Sequence, residues 1–144
     1  MSQKYHVKNH CKYLIKLHIV LCTKYRKKLL SGNLDDDIKQ WCMDVCKRRD
    51  VIIDMMESDQ DHIHLLVDIP HTQGIDELIK ILKQQTTWNV WKKYANELKQ
   101  YFWKERTFWS DGKFVCSTGD VSTGDVSTGD VSTETILEYI KSQG

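Results

Sequence analysis

Two short stretches of this chain carry residue types suited to work on a phosphodiester. The first is Asp61-His62-Ile63-His64-Leu65-Leu66-Val67. On a β-strand, residues i and i+2 share a face, so His62 and His64 project together while Ile63 points the other way. Two neutral imidazoles side by side form a ready pair of ligands for a divalent cation. Two half-buried histidines with ordinary hydrogen bonds would give the same short pattern. The second stretch is Tyr139-Ile140-Lys141-Ser142-Gln143. At about 100° per residue, Tyr139 and Gln143 stand one turn apart on one helix face, in an arc shared with Ile136 and Ile140. That arc suits core packing as well as chemistry, and Gln143 also fits a solvated helix end. Taken together, the two stretches are more specific. A tyrosine can attack phosphorus and form a phosphotyrosine link. A cation on two histidines can polarise a phosphate oxygen for in-line attack, and a glutamine amide oxygen can complete its coordination.

The elements that must position these residues follow from apolar periodicity. Tyr13 to Thr23 reads as a strand in which Lys16 and His18 interrupt an Ile/Leu/Val run in alternation. A basic run, Lys24-Tyr25-Arg26-Lys27-Lys28, and a Ser31-Gly32-Asn33 turn come next. Asp35 to Arg49 is a helix, acidic at its start and basic at its end, with an apolar stripe of Ile38, Trp41, Cys42, Val45 and Cys46. Val51 to Ser58 and His62 to Ile69 make a hairpin that Pro70 closes. Helical patterns cover Ile75 to Thr86 and Trp88 to Trp103, Lys113 to Cys116 is a short strand, and Ser132 to Gln143 is a last helix capped by Ser132. The order β-α-β-β-α-(α)-β predicts an α+β fold: a ferredoxin-like antiparallel sheet with helices on one face, plus a C-terminal helix carrying Tyr139.

The chain has 144 residues and a mass of 17.0 kDa, which suits one hydrophobic core. No apolar run approaches the ~20 residues of a membrane span, and no secretory signal is visible, so no membrane partner is expected. Five cysteines, at 11, 22, 42, 46 and 116, include no Cys-x-x-Cys pair and read as reduced thiols of a cytoplasmic protein. The net charge of +1 hides an asymmetry: residues 1–50 hold 12 Lys and Arg against 5 Asp and Glu, and the rest hold 9 against 15. A basic half suits a polyanion, and Lys24, Arg26, Lys27, Lys28, Arg48 and Arg49 are the candidates for phosphate contacts. Lys83, Lys92 and Lys93 are weaker ones. Trp88 and Trp91 could stack on a base, although aromatics at i, i+3 are more often core. Residues 117–131 are three identical copies of Ser-Thr-Gly-Asp-Val. The period is too short for a solenoid, and the composition reads as a flexible linker. The chain thus divides into a core at 1–116, a repetitive linker at 117–131 and a tyrosine helix at 132–144. Three perfect copies point to recent duplication or to deliberate construction.

His62-Ile63-His64 is a His-hydrophobic-His motif, and Tyr139 and Gln143 stand in a Tyr-x-x-x-Gln helix. With the Lys24–Lys28 segment, Phe108-Trp109 and the ending Glu134 to Ile140, the chain from about Lys12 to Gly144 resembles the single-tyrosine HUH transposases of the smallest bacterial insertion sequences. The resemblance implies a homodimeric enzyme that binds hairpins in single-stranded DNA. Such an enzyme cuts through a 5′-phosphotyrosine, leaves a free 3′-OH and needs Mg²⁺ or Mn²⁺. By position Tyr139 would be the nucleophile, and His62, His64 and Gln143 the metal ligands. A related HUH nuclease (a replication initiator or relaxase) and a hairpin-binding module without catalysis are the alternatives. The resemblance also implies a link of about one Ser-Thr-Gly-Asp-Val copy before the tyrosine helix, where this chain has three.

Overall fold

A computed structural model describes residues 14–117 and 133–142. Strand β1 (Leu14–Cys22) leads through a single turn of 3₁₀ helix (Lys24–Arg26) to helix α1 (Gly32–Arg48). The β2 (Ile52–Asp59) and β3 (His62–Pro70) hairpin follows, then helix α2 (Ile75–Leu98), strand β4 (Phe114–Ser117) and helix α3 (Thr133–Ser142). The four strands form one sheet in the order β2-β3-β1-β4, and every neighbouring pair is antiparallel. This is the predicted ferredoxin-like arrangement.

The two faces of the sheet follow from the period of two along each strand. Leu17, Ile19 and Leu21 of β1 and Ile63, Leu65, Val67 and Ile69 of β3 form the main core, packed with the buried stripes of α1 and α2. The alternate residues of β1, namely Lys16, His18, Val20 and Cys22, lie on the opposite face. There Val20 and Cys22 pack against Ile140 and Tyr139 of α3. Cover on both faces accounts for the nearly continuous apolar run of β1. His62 and His64 share that second face, because His62 is the register partner of Cys22 and His64 that of Val20.

Three boundaries differ from the sequence expectation. The Ser31-Gly32-Asn33 turn is the start of α1, where Gly32 takes a φ of +59° that costs a glycine little. The two expected helices at 75–86 and 88–103 run on from Ile75 to Leu98 without a break at Thr86, and the non-helical residue is instead Tyr94 (φ −121°, ψ 30°). The Thr86-Thr87 pair does not break α2, since Thr86 Oγ1 donates to the Leu82 carbonyl at 2.7 Å and accepts the Trp109 Nε1 hydrogen at 2.8 Å. Ser117, the first residue of the repeats, is the last residue of β4. The remaining repeat residues up to Val131, together with Ser132, Cys11 and Gln143, lie outside the described residues. Among the described residues, no helix is long and apolar enough to cross a membrane.

Candidate active site

The face that carries His62 and His64 holds a third imidazole, His18, buried on β1. Its Nδ1 lies 2.8 Å from His64 Nε2. Two bare lone pairs at that distance would repel, so one proton stands between the rings. Where His64 carries it, the Nδ1 lone pair of His64 remains to bind a cation. His62 is held differently. Its Nδ1 lies 2.9 Å from Asp61 Oδ1, and the other carboxylate oxygen of Asp61 accepts from Arg26 Nε at 3.3 Å. A carboxylate on Nδ1 keeps the proton there and leaves Nε2 of His62 with its lone pair. Burial works to raise the pKa of Asp61, but the hydrogen bonds from His62 and Arg26 win and hold the carboxyl below its usual value. Each histidine therefore has one ring nitrogen engaged by protein, and the other can take a divalent cation in the tautomer that leaves its lone pair bare. The donor set fits such an ion as a pair that needs a further ligand. Among the described residues no cluster of three His, Cys, Asp or Glu side chains could hold one, and Gln143 is outside them.

The His64 imidazole has its pKa lowered from the ordinary histidine value. Burial lowers its pKa first and the neighbouring His18 adds to the effect; Glu57, its register partner on β2, opposes them, and His62 lowers it a little more.

Tyr139 of α3 reaches the same sheet face. Its ring centroid lies 5.5 Å from that of Phe114 on β4, and it packs beside Val20 and Cys22. The phenol oxygen is buried and has no hydrogen-bond partner among the described residues. Burial, with a smaller contribution from Cys22, pushes its pKa up to about 12. Leaving a buried hydroxyl unpaired costs about 1–3 kcal/mol. Such a cost is common where a polar atom is kept ready for a ligand.

The basic residues are not one patch. The Lys24–Lys28 segment follows the Cys22 end of β1 and hangs on the segment 108–111 through Lys24 N–H to the Phe108 carbonyl at 2.8 Å. Tyr25 and Arg26 both take positive φ, 58° and 52°, a strain of about 1–3 kcal/mol each that the surroundings must offset. Thr23 Oγ1, donating to the Lys27 carbonyl at 2.7 Å, and the Arg26–Asp61 pair contribute to that offset. Arg26 is thus engaged with the site, Lys24 pairs with Asp111 at 3.6 Å, Lys27 sits over the Tyr101 ring, and Lys28 is exposed. Arg49 instead donates to Gln73 at 2.9 Å and pairs with Glu77 at 3.2 Å, beyond the Pro70 end of β3, and Arg48 beside it is exposed. Leu14 and Pro70 are partners at one end of the nine-residue β1, and Cys22 and His62 at the other, so the two basic groups stand about 26 Å apart along the strand. Trp91 is buried as its spacing allowed, whereas Trp88 is 63% exposed.

Sequence reasoning missed His18 and Asp61. His18 stood out only as a polar break in an apolar strand, and its meeting with His64 needs the β1–β3 register. Asp61 directly precedes His62, but its role depends on Arg26 arriving from another loop.

Comparison with known proteins gives the family and the fold. The model of the family described as "Transposase IS200 like" matches residues 11–143. The ISDra2 transposase TnpA of Deinococcus radiodurans is 30% identical over 91 residues, 63% of this chain and 64% of that protein. The chain thus matches just under two thirds of that relative's length. The transposase for insertion sequence element IS200 of Salmonella typhimurium is 28% identical over 114 residues, 79% of this chain and 71% of that one. Among solved structures, a candidate transposase from Deinococcus radiodurans R1 superposes with a TM-score of 0.74 at 23% identity, covering 99% of this chain and 97% of that one. A REP-associated tyrosine transposase bound to a REP hairpin gives 0.54 at 13% identity, over 97% and 68%.

Proposed function

The chain belongs to the IS200-like transposase family, and from that premise we propose that it cuts and rejoins single-stranded DNA at hairpins through a 5′-phosphotyrosine on Tyr139. The observation that carries this reading is the convergence on one sheet face of two histidines, each with one ring nitrogen engaged by protein, and of a tyrosine whose hydroxyl is buried without a partner among the described residues. His62, His64 and Gln143 would hold Mg²⁺ or Mn²⁺, and the ion would supply positive charge to the scissile phosphate. Tyr139 Oη attacks phosphorus in line. The bond from phosphorus to the 3′ oxygen breaks, which leaves a free 3′-OH and a 5′-phosphate joined to the tyrosine. A phenol with a pKa of about 12 is almost fully protonated at neutral pH, so its proton must leave as the attack proceeds. Asp61 and Arg26 hold His62, and His18 holds His64, so neither imidazole has to be ordered during the reaction. The proposed assembly is a homodimer, as the family resemblance implies.

The test is incubation with single-stranded hairpin DNA and Mg²⁺, followed by a denaturing gel. We expect a covalent protein–DNA species that Tyr139→Phe and chelator each abolish. Hairpin binding with no such species from any substrate would support the non-catalytic reading.

A further inference from the structure

On the helical side of the sheet, a cleft of about 680 Å³ opens between the middle of α2 and the segment 106–111. Its walls combine indole rings with cations. Trp91 and Trp109 direct their N–H groups inward, to the Thr107 carbonyl and to Thr86 Oγ1, each at 2.8 Å, and so both rings are pinned. Trp88 is different: it stands on the surface of α2, 63% exposed, with Lys92 Nζ 4.5 Å from its ring centroid. The Arg106 guanidinium lies 5.5 Å from the Trp91 ring. Lys83 is spent on the loop, donating to the carbonyls of Ser110 and Gly112 at 2.9 Å each. Lys92 and Arg106 remain as cations lining the cleft, each beside an indole ring. A lone exposed tryptophan needs no explanation, but one on a cationic cleft has the composition that recognises a flat ring joined to an anion. Duplex DNA hides its base faces inside the stack, so the flat ring must belong to an unpaired nucleotide.

We propose that this cleft binds one unpaired nucleotide of a DNA strand, its base stacked on Trp88 and its phosphate on Lys92 and Arg106. The inference rests on the reading that the chain works on single-stranded DNA and adds a place where that strand is held. The cleft and the histidine pair lie at the same end of β1. Ser110 on the cleft wall donates its N–H to the Cys22 carbonyl at 2.8 Å, and Cys22 is the register partner of His62. The cleft is on the helical side of the sheet and the histidines on the other, so a strand anchored in the cleft passes round this shared end to reach them.

The test measures binding of a random-sequence pool of short single-stranded oligonucleotides by fluorescence anisotropy. A base stacked on an aromatic ring loses about fivefold or more in affinity on alanine substitution. Trp88→Ala should therefore weaken binding at least about fivefold, while Trp88→Phe, which keeps a ring face, retains most of the affinity. Lys92→Gln with Arg106→Gln should reduce the salt slope by about 0.7 for each phosphate no longer neutralised. Replacing the pool by an abasic phosphodiester strand should cost the wild-type protein a similar factor and Trp88→Ala little. A wild-type protein that ignores the pool, a Trp88→Ala variant that binds it as well as wild type, or an abasic strand bound as tightly as the pool would each overturn the cleft. Hairpin cleavage separates the two readings. A Tyr139 adduct alongside Trp88-independent binding sinks only the cleft, and Trp88-dependent binding with no adduct on any hairpin sinks only the proposed reaction.

Discussion

At the scale of single residues, the phenol of Tyr139 and the imidazole of His64 make opposite demands on the fold. The Tyr139 hydroxyl is buried without a partner among the described residues, so removing it should relieve the fold while ending the proposed chemistry. We expect Tyr139→Phe to melt at the wild-type temperature or higher, by up to about 1–3 kcal/mol of stability, and to form no DNA adduct. A melting point several degrees lower would show that the oxygen has a bond in the resting protein. His64 has its pKa lowered by burial and by His18. An unfolded chain takes up this proton near pH 6.5, whereas the folded chain resists it to a lower pH. Between those two values the unfolded state binds more protons, so this contribution to stability is complete above about pH 6.5 and declines as pH falls. Melting temperature against pH should show that decline, and His64→Gln should flatten it; an unchanged profile would show that His64 is not held neutral. Asp61→Asn should keep the hairpin but release the His62 ring, with a loss of about 10–100-fold in Mn²⁺ affinity by calorimetry. That His62 and His64 share one sheet face was legible from an i, i+2 spacing alone. The groups that orient them were not, because Asp61, Arg26 and His18 come together only through strand register and a strained loop.

At the scale of elements, periodicity located all four strands within a residue or two, since each alternates or is bounded by turn residues and Pro70. It failed inside α2. The sequence pattern ends one helix at Thr86, but Thr86 bonds back to Leu82 and receives Trp109. That second bond comes from a residue 23 positions away, which no local pattern reveals. The path from α2 to β4 depends on a similar distant clamp: Lys83 reaches three consecutive carbonyls, of Ser110, Asp111 and Gly112. Burial lowers the Lys83 pKa, so the ammonium is retained there by these acceptors and by the Asp111 charge against a desolvation cost. Lys83→Met keeps the aliphatic stem and deletes the clamp. We expect a loss of about 2 kcal/mol, less than the sum of several charged hydrogen bonds because the head is partly solvated. Hydrogen exchange should speed up at 110–117 more than in α1. Uniform acceleration across the fold would show that Lys83 holds no particular element.

At the scale of the whole molecule, the open question is whose histidines Tyr139 serves in the proposed homodimer. In the single chain, α3 packs on its own sheet, through Ile140 and Tyr139 against Val20, Cys22 and Phe114. The link sets what else is reachable. A five-residue connection spans at most ~17 Å and a fifteen-residue one ~50 Å, while tripling its length adds only about 1 kcal/mol of closure entropy. A short link would restrict the tyrosine to whichever sheet lies next to the end of β4. The three copies at 117–131 remove that restriction, and the choice then falls to the contacts of α3 itself, which its own sheet satisfies. We therefore expect the site to assemble in cis. Mixed dimers isolated through two different affinity tags test this. A wild-type subunit paired with a His64→Ala, Tyr139→Phe double variant keeps one complete site only if assembly is in cis. A Tyr139→Phe subunit paired with a His64→Ala subunit regains a complete site only in trans. We expect hairpin cleavage from the first pairing at about half the wild-type level and little from the second. Cleavage confined to the second pairing would show that α3 crosses to the partner's sheet despite the cover its own sheet provides.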